Sequence, residues 1–115
     1  MVLDLRGHDI TSSERAFKIE SGATLMVIDT VGGGTVKGSG VEGEAGGVTH
    51  NSGTLNIYGG NFVHTGEANT GGLVFIGQGL YSTIATFNLY DGVLSGGTAT
   101  NNGGNIMFNH GNHQI

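Results

Sequence analysis

Two stretches of the chain share one pattern and lie 32 residues apart. Residues 54–79 match residues 86–111 without a gap, so that most apolar residues meet apolar residues and four glycines (Gly60, Gly71, Gly72 and Gly79) meet glycines. The matched pairs include Leu55/Phe87, Asn56/Asn88, Ile57/Leu89, Tyr58/Tyr90, Gly60/Gly92, Phe62/Leu94 and Val74/Ile106. An ungapped repeat of this kind is typical of architectures in which each unit packs only on its neighbours. The repeat therefore predicts a stacked fold.

Two less regular copies precede this pair. Leu3–Ile10 match Leu55–Phe62 at an offset of 52, and Thr24–Ile28 match Thr54–Tyr58 at an offset of 30. Each copy offers three short segments of alternating polarity separated by glycine-rich corners, and none shows a helical period with caps. Parallel strands need a long connection, and a unit that winds once around a coil supplies it. The sequence predicts an all-β parallel β-solenoid of about four coils, each with three short strands.

Alternation within the segments predicts which side chains face the interior. Residues two apart share one face of a strand, so the apolar set of each segment is expected inside. The predicted columns are Leu3/Leu5, Leu25/Val27, Leu55/Ile57 and Phe87/Leu89 from the first segment, Ile10, Val36, Phe62 and Leu94 from the second, and Phe17/Ile19, Val74/Ile76 and Ile106/Phe108, with Val48, from the third.

Columns also form on the outward side of the first segment. They are Thr24/Thr54/Thr86, Met26/Asn56/Asn88 and Ile28/Tyr58/Tyr90, and the same alignment places Asp4 with Met26 and Arg6 with Ile28. Identical polar and aromatic side chains in register stack and form amide ladders. Asn56, Tyr58, Asn88 and Tyr90 also make a candidate ligand surface, because rings stack on sugars and amides bond to their hydroxyls.

Composition restricts the class of protein and its partners. The chain has 24 glycines and no proline, and 37% of its 115 residues are hydrophobic, which favours a folded segment over disorder. The net charge is −5, with Arg6, Arg15, Lys18 and Lys37 as the fixed cations, which argues against nucleic acid and anionic membranes as partners. The lack of cysteine excludes disulfides and thiolate metal sites. No apolar run approaches the roughly 18 residues of a membrane span, so no membrane insertion is expected.

Both ends of the sequence fall inside repeats. Met1 leads directly into a strand-like segment and Ile115 lies within another unit, so residues 1–115 are expected to be one solenoid segment excerpted from a longer repeat protein. End coils expose unpaired backbone groups and apolar rows, which natural solenoids cover with caps. No cap is visible in the sequence. The expected partners are neighbouring coils of the same chain or other copies of it.

Several stretches of the chain resemble a known class of repeat. Val2–Ile10, Arg15–Leu25, Gly33–Gly38, Ser52–Gly60 and Asp91–Gly96 resemble the right-handed, pectate-lyase-like parallel β-helix repeats of large bacterial surface proteins and adhesins. The resemblance implies a right-handed coil, an extracellular or cell-surface location, and a non-catalytic stalk or adhesive role. Such repeats also occur beside polysaccharide-cleaving β-helices, so catalysis has to be judged on individual residues.

The glycine-rich and acidic motifs predict turns and no catalytic or cofactor site. Gly38–Gly43 has the spacing G-x-G-x-x-G, but the helix start that dinucleotide binding requires does not follow it. Asp29 and Asp91 align with Gly7 and Gly59, and an Asp/Gly exchange is typical of a turn.

The remaining candidates for acid/base or metal chemistry lack a suitable arrangement. Glu42 and Glu44 are carboxylates spaced by two, but they lie in a glycine-rich loop that does not fix their geometry. The histidines are expected to be solvated or turn residues without ligand spacing, so no metal site is predicted. They are His8, His50, His64, His110 and His113.

Taken together, these patterns predict a non-catalytic structural or adhesive β-solenoid segment of a bacterial extracellular or cell-surface protein, with end-to-end assembly into filaments as one form of that role. A glycan-binding surface module is the alternative that the Tyr58 and Tyr90 column suggests. Two further alternatives are a fragment of a carbohydrate-active β-helix enzyme and an ice-binding solenoid. The ice-binding alternative is weakened because one regular threonine column is present where a matched Thr-x-Thr array is needed.

Overall fold

The computed structural model describes residues 1–40, 46–65, 68–70, 73–76, 85–97, 99–102 and 105–108. Every regular element within these residues is a short β-strand. The strands are β1 (Val2–Asp4), β2 (Asp9–Ser12), β3 (Phe17–Ile19), β4 (Thr24–Ile28), β5 (Thr35–Gly38), β6 (Thr49–Asn51), β7 (Thr54–Ile57), β8 (Asn61–His64), β9 (Ala68–Thr70), β10 (Val74–Ile76), β11 (Thr86–Leu89), β12 (Val93–Ser95), β13 (Ala99–Asn102) and β14 (Ile106–Phe108).

The strands stack into parallel sheets, one strand from each coil. Three sheets have four strands each, in the orders β1-β4-β7-β11, β2-β5-β8-β12 and β3-β6-β10-β14. Coil 1 contains β1–β3, coil 2 contains β4–β6, coil 3 contains β7–β10 and coil 4 contains β11–β14. The prediction of a parallel β-helix, or β-solenoid, of about four coils is confirmed. Coils 3 and 4 carry one strand more than predicted, because β9 and β13 form a two-stranded parallel sheet of their own.

The interior holds the apolar columns that alternation predicted for the second segment. Ile10, Val36, Phe62 and Leu94 lie directly above one another through the pairing of β2, β5, β8 and β12. Val36 and Phe62, in the two middle coils, are fully buried. Each layer therefore buries its apolar side chain against the layers above and below, and this burial is the main stabilising term in a stacked fold.

The first strand of coil 1 has a register different from the predicted one. Leu3 pairs with Val27, whereas the sequence match placed it with Leu25. The reason is the corner between β1 and β2: seven positions separate Leu3 from Ile10, but five separate Ile57 from Phe62. A shift of two residues preserves the inward and outward faces, so the interior assignment survives the error.

The third strand of coil 2 places polar residues where apolar ones were expected. Thr49 and Asn51 of β6 lie opposite Val74 and Ile76 of β10, and both polar residues are fully buried. Val48, assigned to this column from the sequence, is buried but precedes β6 by one residue. The interior of coil 2 is therefore partly polar, and its polar atoms need hydrogen-bond partners.

Asn51 supplies such partners at the corner that leads from coil 2 into coil 3. Its Nδ2 donates to the Thr86 carbonyl oxygen at 2.8 Å, and its Oδ1 accepts from the Gly53 amide at 3.0 Å. A Cβ added at Gly53 would clash with the carbonyl oxygens of Ala23 and Glu20, so a residue without a side chain is required there. One buried amide thus ties three successive coils together.

Candidate functional site

The predicted surface face carries two ladders on the outward side of the first sheet. The Asn88 Nδ2 donates to Asn56 Oδ1 at 2.8 Å. The rings of Tyr58 and Tyr90 are stacked, with centroids 4.4 Å apart and planes 11° from parallel. Both pairs arise because β7 and β11 are aligned without a shift, which puts residues 32 positions apart on adjacent layers. The structure therefore brings together all four residues proposed from the sequence.

The stacking decides which parts of the tyrosine rings are available to a ligand. Each ring turns one face to the other, so the two inner faces are occupied. Tyr58 is 42% exposed and Tyr90 is 61% exposed, and the register continues from Tyr58 to Ile28 of coil 2, so the second face of the Tyr58 ring lies towards the Ile28 layer. Sugar rings bind aromatic side chains through the ring face. A glycan that stacks on this pair is therefore expected to use the face of Tyr90 that points away from Tyr58, since no described strand lies beyond β11.

A shallow groove of about 280 Å³ runs beside the ladder at the corner that follows the first strands. Tyr58, Asn61 and Asp91 contribute polar side chains to its lining, and glycines supply much of the remaining wall. Asp91 Oδ1 accepts the Gly92 amide at 2.8 Å, and the residue is exposed. The groove offers hydrogen-bonding groups next to an aromatic ring, which is the chemistry that a carbohydrate requires.

Asp29 lines the same groove, but its carboxylate is hydrogen-bonded to the backbone of the corners. Its carboxylate accepts three backbone amides, from Gly34 at 2.7 Å, Gly7 at 2.8 Å and Gly32 at 2.9 Å. These bonds, led by the one from Gly34, lower the pKa of Asp29, because each stabilises the ionised form. The sequence match placed Gly7 in the same column as Asp29. The structure makes Gly7 a hydrogen-bond donor to it from the adjacent corner.

Asp4 also serves a turn, at a position different from the predicted one. It pairs with Ile28, whereas the sequence match had placed it with Met26 and had given Arg6 the Ile28 position. Asp4 Oδ2 accepts the Thr30 hydroxyl at 2.7 Å, and Oδ1 accepts the amides of Thr30 and Arg6. The Thr30 hydroxyl is the main reason that the pKa of Asp4 is lowered. Both carboxylates therefore hold corners in place.

Of the three described histidines, His8 is exposed in the corner between β1 and β2, as expected, whereas the other two depart from the solvated or turn positions predicted for them. His50 and His64 lie within strands β6 and β8. His50 stacks on Phe75 with ring centroids 5.0 Å apart. His64 is buried, and its Nε2 lies 3.2 Å from the Ser39 carbonyl oxygen. The alternation of β8 contains this signal, because His64 shares the inward parity of Phe62.

Other sequence candidates are only partly covered by the structure. Gly38 ends β5, whereas residues 41–43 of the G-x-G-x-x-G stretch, with Glu42 and Glu44, lie outside the described residues, as do His110 and His113. Within the described ranges, three or more His, Cys, Asp or Glu side chains do not gather anywhere in an arrangement suited to a metal ion. The described part of the chain also holds no helix of the length and apolarity that membrane crossing needs.

The first coil ends in an open apolar depression. Leu3, Ile10 and Phe17 line this cavity of about 530 Å³ together with Met1 and Ile19. Among the described strands, none pairs with the outer edges of β1, β2 and β3. We call this surface, formed by these three edges and by Leu3, Ile10 and Phe17, the coil 1 end.

At the opposite end of the column, the described strands also leave the last layer open. Leu89 is 41% exposed, although Val27 and Ile57 in the same column are fully buried. No described strand pairs with the outer edges of β11, β12 and β14. We call this surface, formed by these edges and by Leu89, Leu94 and Ile106, the coil 4 end.

Comparisons of the chain with protein-family models, curated proteins and solved structures found no match.

Proposed function

We propose that the chain is a non-catalytic structural segment of an extracellular or cell-surface β-solenoid, whose two ends are covered by further coils in the working protein. The observation that carries this proposal is the contrast within one column: Ile57 is fully buried, whereas Leu89, one layer above it, is 41% exposed. An interior column that ends in an exposed apolar side chain is a stack that lacks its next layer.

The use of the carboxylates supports a role without catalysis. The carboxylate oxygens of Asp4 and Asp29 accept hydrogen bonds from backbone amides and from one threonine hydroxyl. Glycoside-cleaving enzymes need a pair of carboxyl groups that face a substrate across a fixed gap. Carboxylates bonded to their own corners do not provide that pair, and they stabilise the coil instead.

A tandem of two copies in one chain tests whether the ends accept further coils. The connections from one coil to the next contain four residues (20–23), two (52–53) and nine (77–85). Residues 109–115 together with Met1 of the second copy supply eight, which lies within this range. We expect the tandem to unfold at a higher temperature than the single chain, because the junction covers one pair of ends.

Two placements of one substitution provide the matched control. Leu3→Lys in the second copy lies at the junction, whereas Leu3→Lys in the first copy lies at a free end. The two variants have the same composition and carry the same substitution in the same local sequence. A larger loss of thermal stability at the junction therefore shows that Leu3 is covered there by the coil 4 end of the first copy. Equal losses, together with a tandem no more stable than the single chain, would contradict the proposal.

A glycan-binding surface is the second candidate function, favoured by the groove that places Asn61 and Asp91 beside Tyr58. A glycan array tests it with the parent chain and with the Tyr58→Ala/Tyr90→Ala variant. Val31→Ala is the matched control, because Val31 is an exposed apolar side chain outside the lining of this groove. Binding that the double variant loses and the control keeps supports this function. Identical patterns for all three proteins remove it.

A further inference from the structure

We propose that the coil 1 end docks on the coil 4 end of a second copy of this chain, in a head-to-tail contact with the register that already joins successive coils. The inference rests on the proposed function, since it names the occupant of the same uncovered ends. In this inference the ends are covered by separate copies of the chain, whereas the proposed function also holds if further coils of one long chain cover them.

The backbone edges of the two ends match each other. The coil 1 end presents three strand edges, one from each four-stranded sheet, and every pair among the described strands is parallel. The coil 4 end presents the same three edges and, in addition, the edge of β13, which docking leaves unpaired as β9 is left unpaired by coil 2. Head-to-tail docking sets β1 on β11, β2 on β12 and β3 on β14 with the strand direction preserved. The contact therefore repeats the geometry that the chain uses between its own coils. Two ends of the same kind, facing each other about a two-fold axis, would have to pair their strands antiparallel.

The side chains of the two ends match layer by layer. With the register that links coil 1 to coil 2 and each coil to the next, Leu3 lies on Leu89, Ile10 on Leu94 and Phe17 on Ile106. Every pair brings together two apolar side chains that are partly or largely uncovered in the single chain. Docking removes this surface from water, which drives association.

One oppositely charged pair lies near the proposed contact. Coil 1 contains Arg6, and coil 4 contains Asp91. Continuing the β1 register past Asp4 brings Arg6 of the docked copy to the corner that holds Asp91, which adds electrostatic complementarity to a head-to-tail contact. Coil 1 as a whole carries both signs of charge, because its three cations are accompanied by Asp4, Asp9 and Glu14.

The size of the contact is adequate for a specific complex. The molecule measures 39 × 27 × 18 Å. The shortest dimension corresponds to the stacking direction, because four layers spaced by about 4.8 Å nearly fill it. The remaining two dimensions, 39 and 27 Å, enclose an ellipse of roughly 800 Å², so full contact between two ends buries at most roughly 1,600 Å² in total, a limit that matches the size of a standard interface. A head-to-tail contact of this kind leaves free ends on every complex and generates an open filament.

Two end variants test the polarity of the contact. Leu3→Lys blocks the coil 1 end and keeps the coil 4 end, and Leu89→Lys does the reverse. In sedimentation velocity the parent chain is expected to form species larger than its 11.7 kDa monomer as concentration rises, and each variant alone is expected to stay monomeric. An equimolar mixture of the two is expected to form dimers and nothing larger, because only one pair of intact ends remains.

A cysteine pair tests the register without blocking either end. Thr11 and Ser95 are exposed, and both belong to the column that also contains Lys37 and Val63. In the proposed contact Thr11 of one copy lies directly on Ser95 of the next, within the Cα distance of about 4.4–6.8 Å that a disulfide spans. Thr11→Cys/Ser95→Cys is expected to give a ladder of covalent oligomers on oxidation. Asp9→Cys/Ser95→Cys, two residues out of register, is expected to give several-fold less.

The outcomes that overturn the inference are distinct from failure of the proposed function. A parent chain that stays monomeric at all concentrations and gives no cysteine ladder overturns self-docking, even if the tandem shows that the ends accept a coil. Dimers formed by Leu89→Lys alone would indicate contact between two coil 1 ends and would also overturn it. Equal cross-linking by the two cysteine pairs contradicts the register. A tandem that gains no stability is the separate result that counts against the proposed function.

Discussion

Tyr58 and Tyr90 stack face to face across one layer of the column, with their ring centroids 4.4 Å apart and their planes 11° from parallel. The stack is a consequence of the repeat, because residues 32 positions apart fall on adjacent strands without a shift. It lies on the outer surface, where layers otherwise gain little from apolar burial. The tyrosine pair and the Asn56–Asn88 amide bond therefore connect coils 3 and 4 from outside.

The tyrosine pair is expected to contribute a measurable coupling energy to folding. We predict that Tyr58→Ala and Tyr90→Ala, analysed as a double-mutant cycle by urea unfolding, interact by about 0.5–1.5 kcal/mol, because stacked rings gain this beyond their buried area. The cycle Tyr58→Ala with Val2→Ala is the control, since Val2 is exposed on β1, two layers away from the strand that precedes Tyr58. Additive effects in the tyrosine cycle would mean that the stack adds nothing to stability.

Asn51→Ala is expected to destabilise the chain more than its small change in volume implies. The substitution leaves the Thr86 carbonyl and the Gly53 amide without their partner, and an unsatisfied buried group costs about 1–3 kcal/mol. Asn61→Ala, on a half-buried strand position, is the matched control and is expected to cost less than about 0.5 kcal/mol. Chemical denaturation measures both. Equal costs would remove the corner role assigned to Asn51.

Thr49→Val is expected to stabilise the chain. Thr49 Oγ1 is fully buried and has no hydrogen-bond partner among the described atoms, although its column neighbours Phe17, Val74 and Ile106 are apolar. Replacing the hydroxyl with a methyl group of similar size removes a desolvation cost, so the free energy of unfolding should rise by about 1 kcal/mol. The exposed Thr24→Val serves as control. A decrease in stability for Thr49→Val would indicate that a partner satisfies the hydroxyl.

Acid is expected to weaken the corner that Asp29 holds. Its pKa is lowered in the folded chain by the amides of Gly34, Gly32 and Gly7, so the folded state favours the ionised carboxylate. The stability it contributes is present above the unfolded-state value near pH 4 and is lost as the pH falls through the lower folded-state value. Urea midpoints measured between pH 6 and pH 2.5 report the loss.

The matched variant for the acid experiment is Asp29→Asn, which cannot ionise. We expect the stability of this variant to change less between pH 6 and pH 2.5 than that of the parent. The slope that remains belongs in part to Asp4, whose pKa is lowered mainly by the Thr30 hydroxyl. Asp4→Asn/Asp29→Asn should therefore be flatter still. Parallel pH profiles for the parent and Asp29→Asn would contradict this role of the carboxylate.

The alternation of polar and apolar residues predicts most, but not all, of the interior columns. Ile10, Val36, Phe62 and Leu94 were placed correctly because one face of each strand is apolar and the repeat fixes which layers are adjacent. The polar strand β6 broke the pattern, since Thr49 and Asn51 occupy inward positions that an apolar criterion does not recognise. Their burial follows from strand pairing on both sides, which the local pattern of a three-residue strand does not contain.

The candidate surface was also predictable in part. The period of 32 residues was sufficient to place Asn56 with Asn88 and Tyr58 with Tyr90. The face-to-face orientation of the two tyrosine rings was not predictable, because it depends on side-chain rotamers and on the exact layer spacing. The resulting occupation of the inner ring faces restricts how a sugar can approach, and sequence alone gave no sign of it.

The sequence by itself determined the number of coils, the parallel direction of the strands and the inward face of most of them, because a repeat and a two-residue alternation are local patterns. Only the tertiary structure decided the register of coil 1, the three amides that bind Asp29 and the corner that Asn51 closes. Two of these hydrogen bonds join residues 22 and 35 positions apart. Contacts at such separations depend on corner lengths, and corners vary freely while the strands keep their faces.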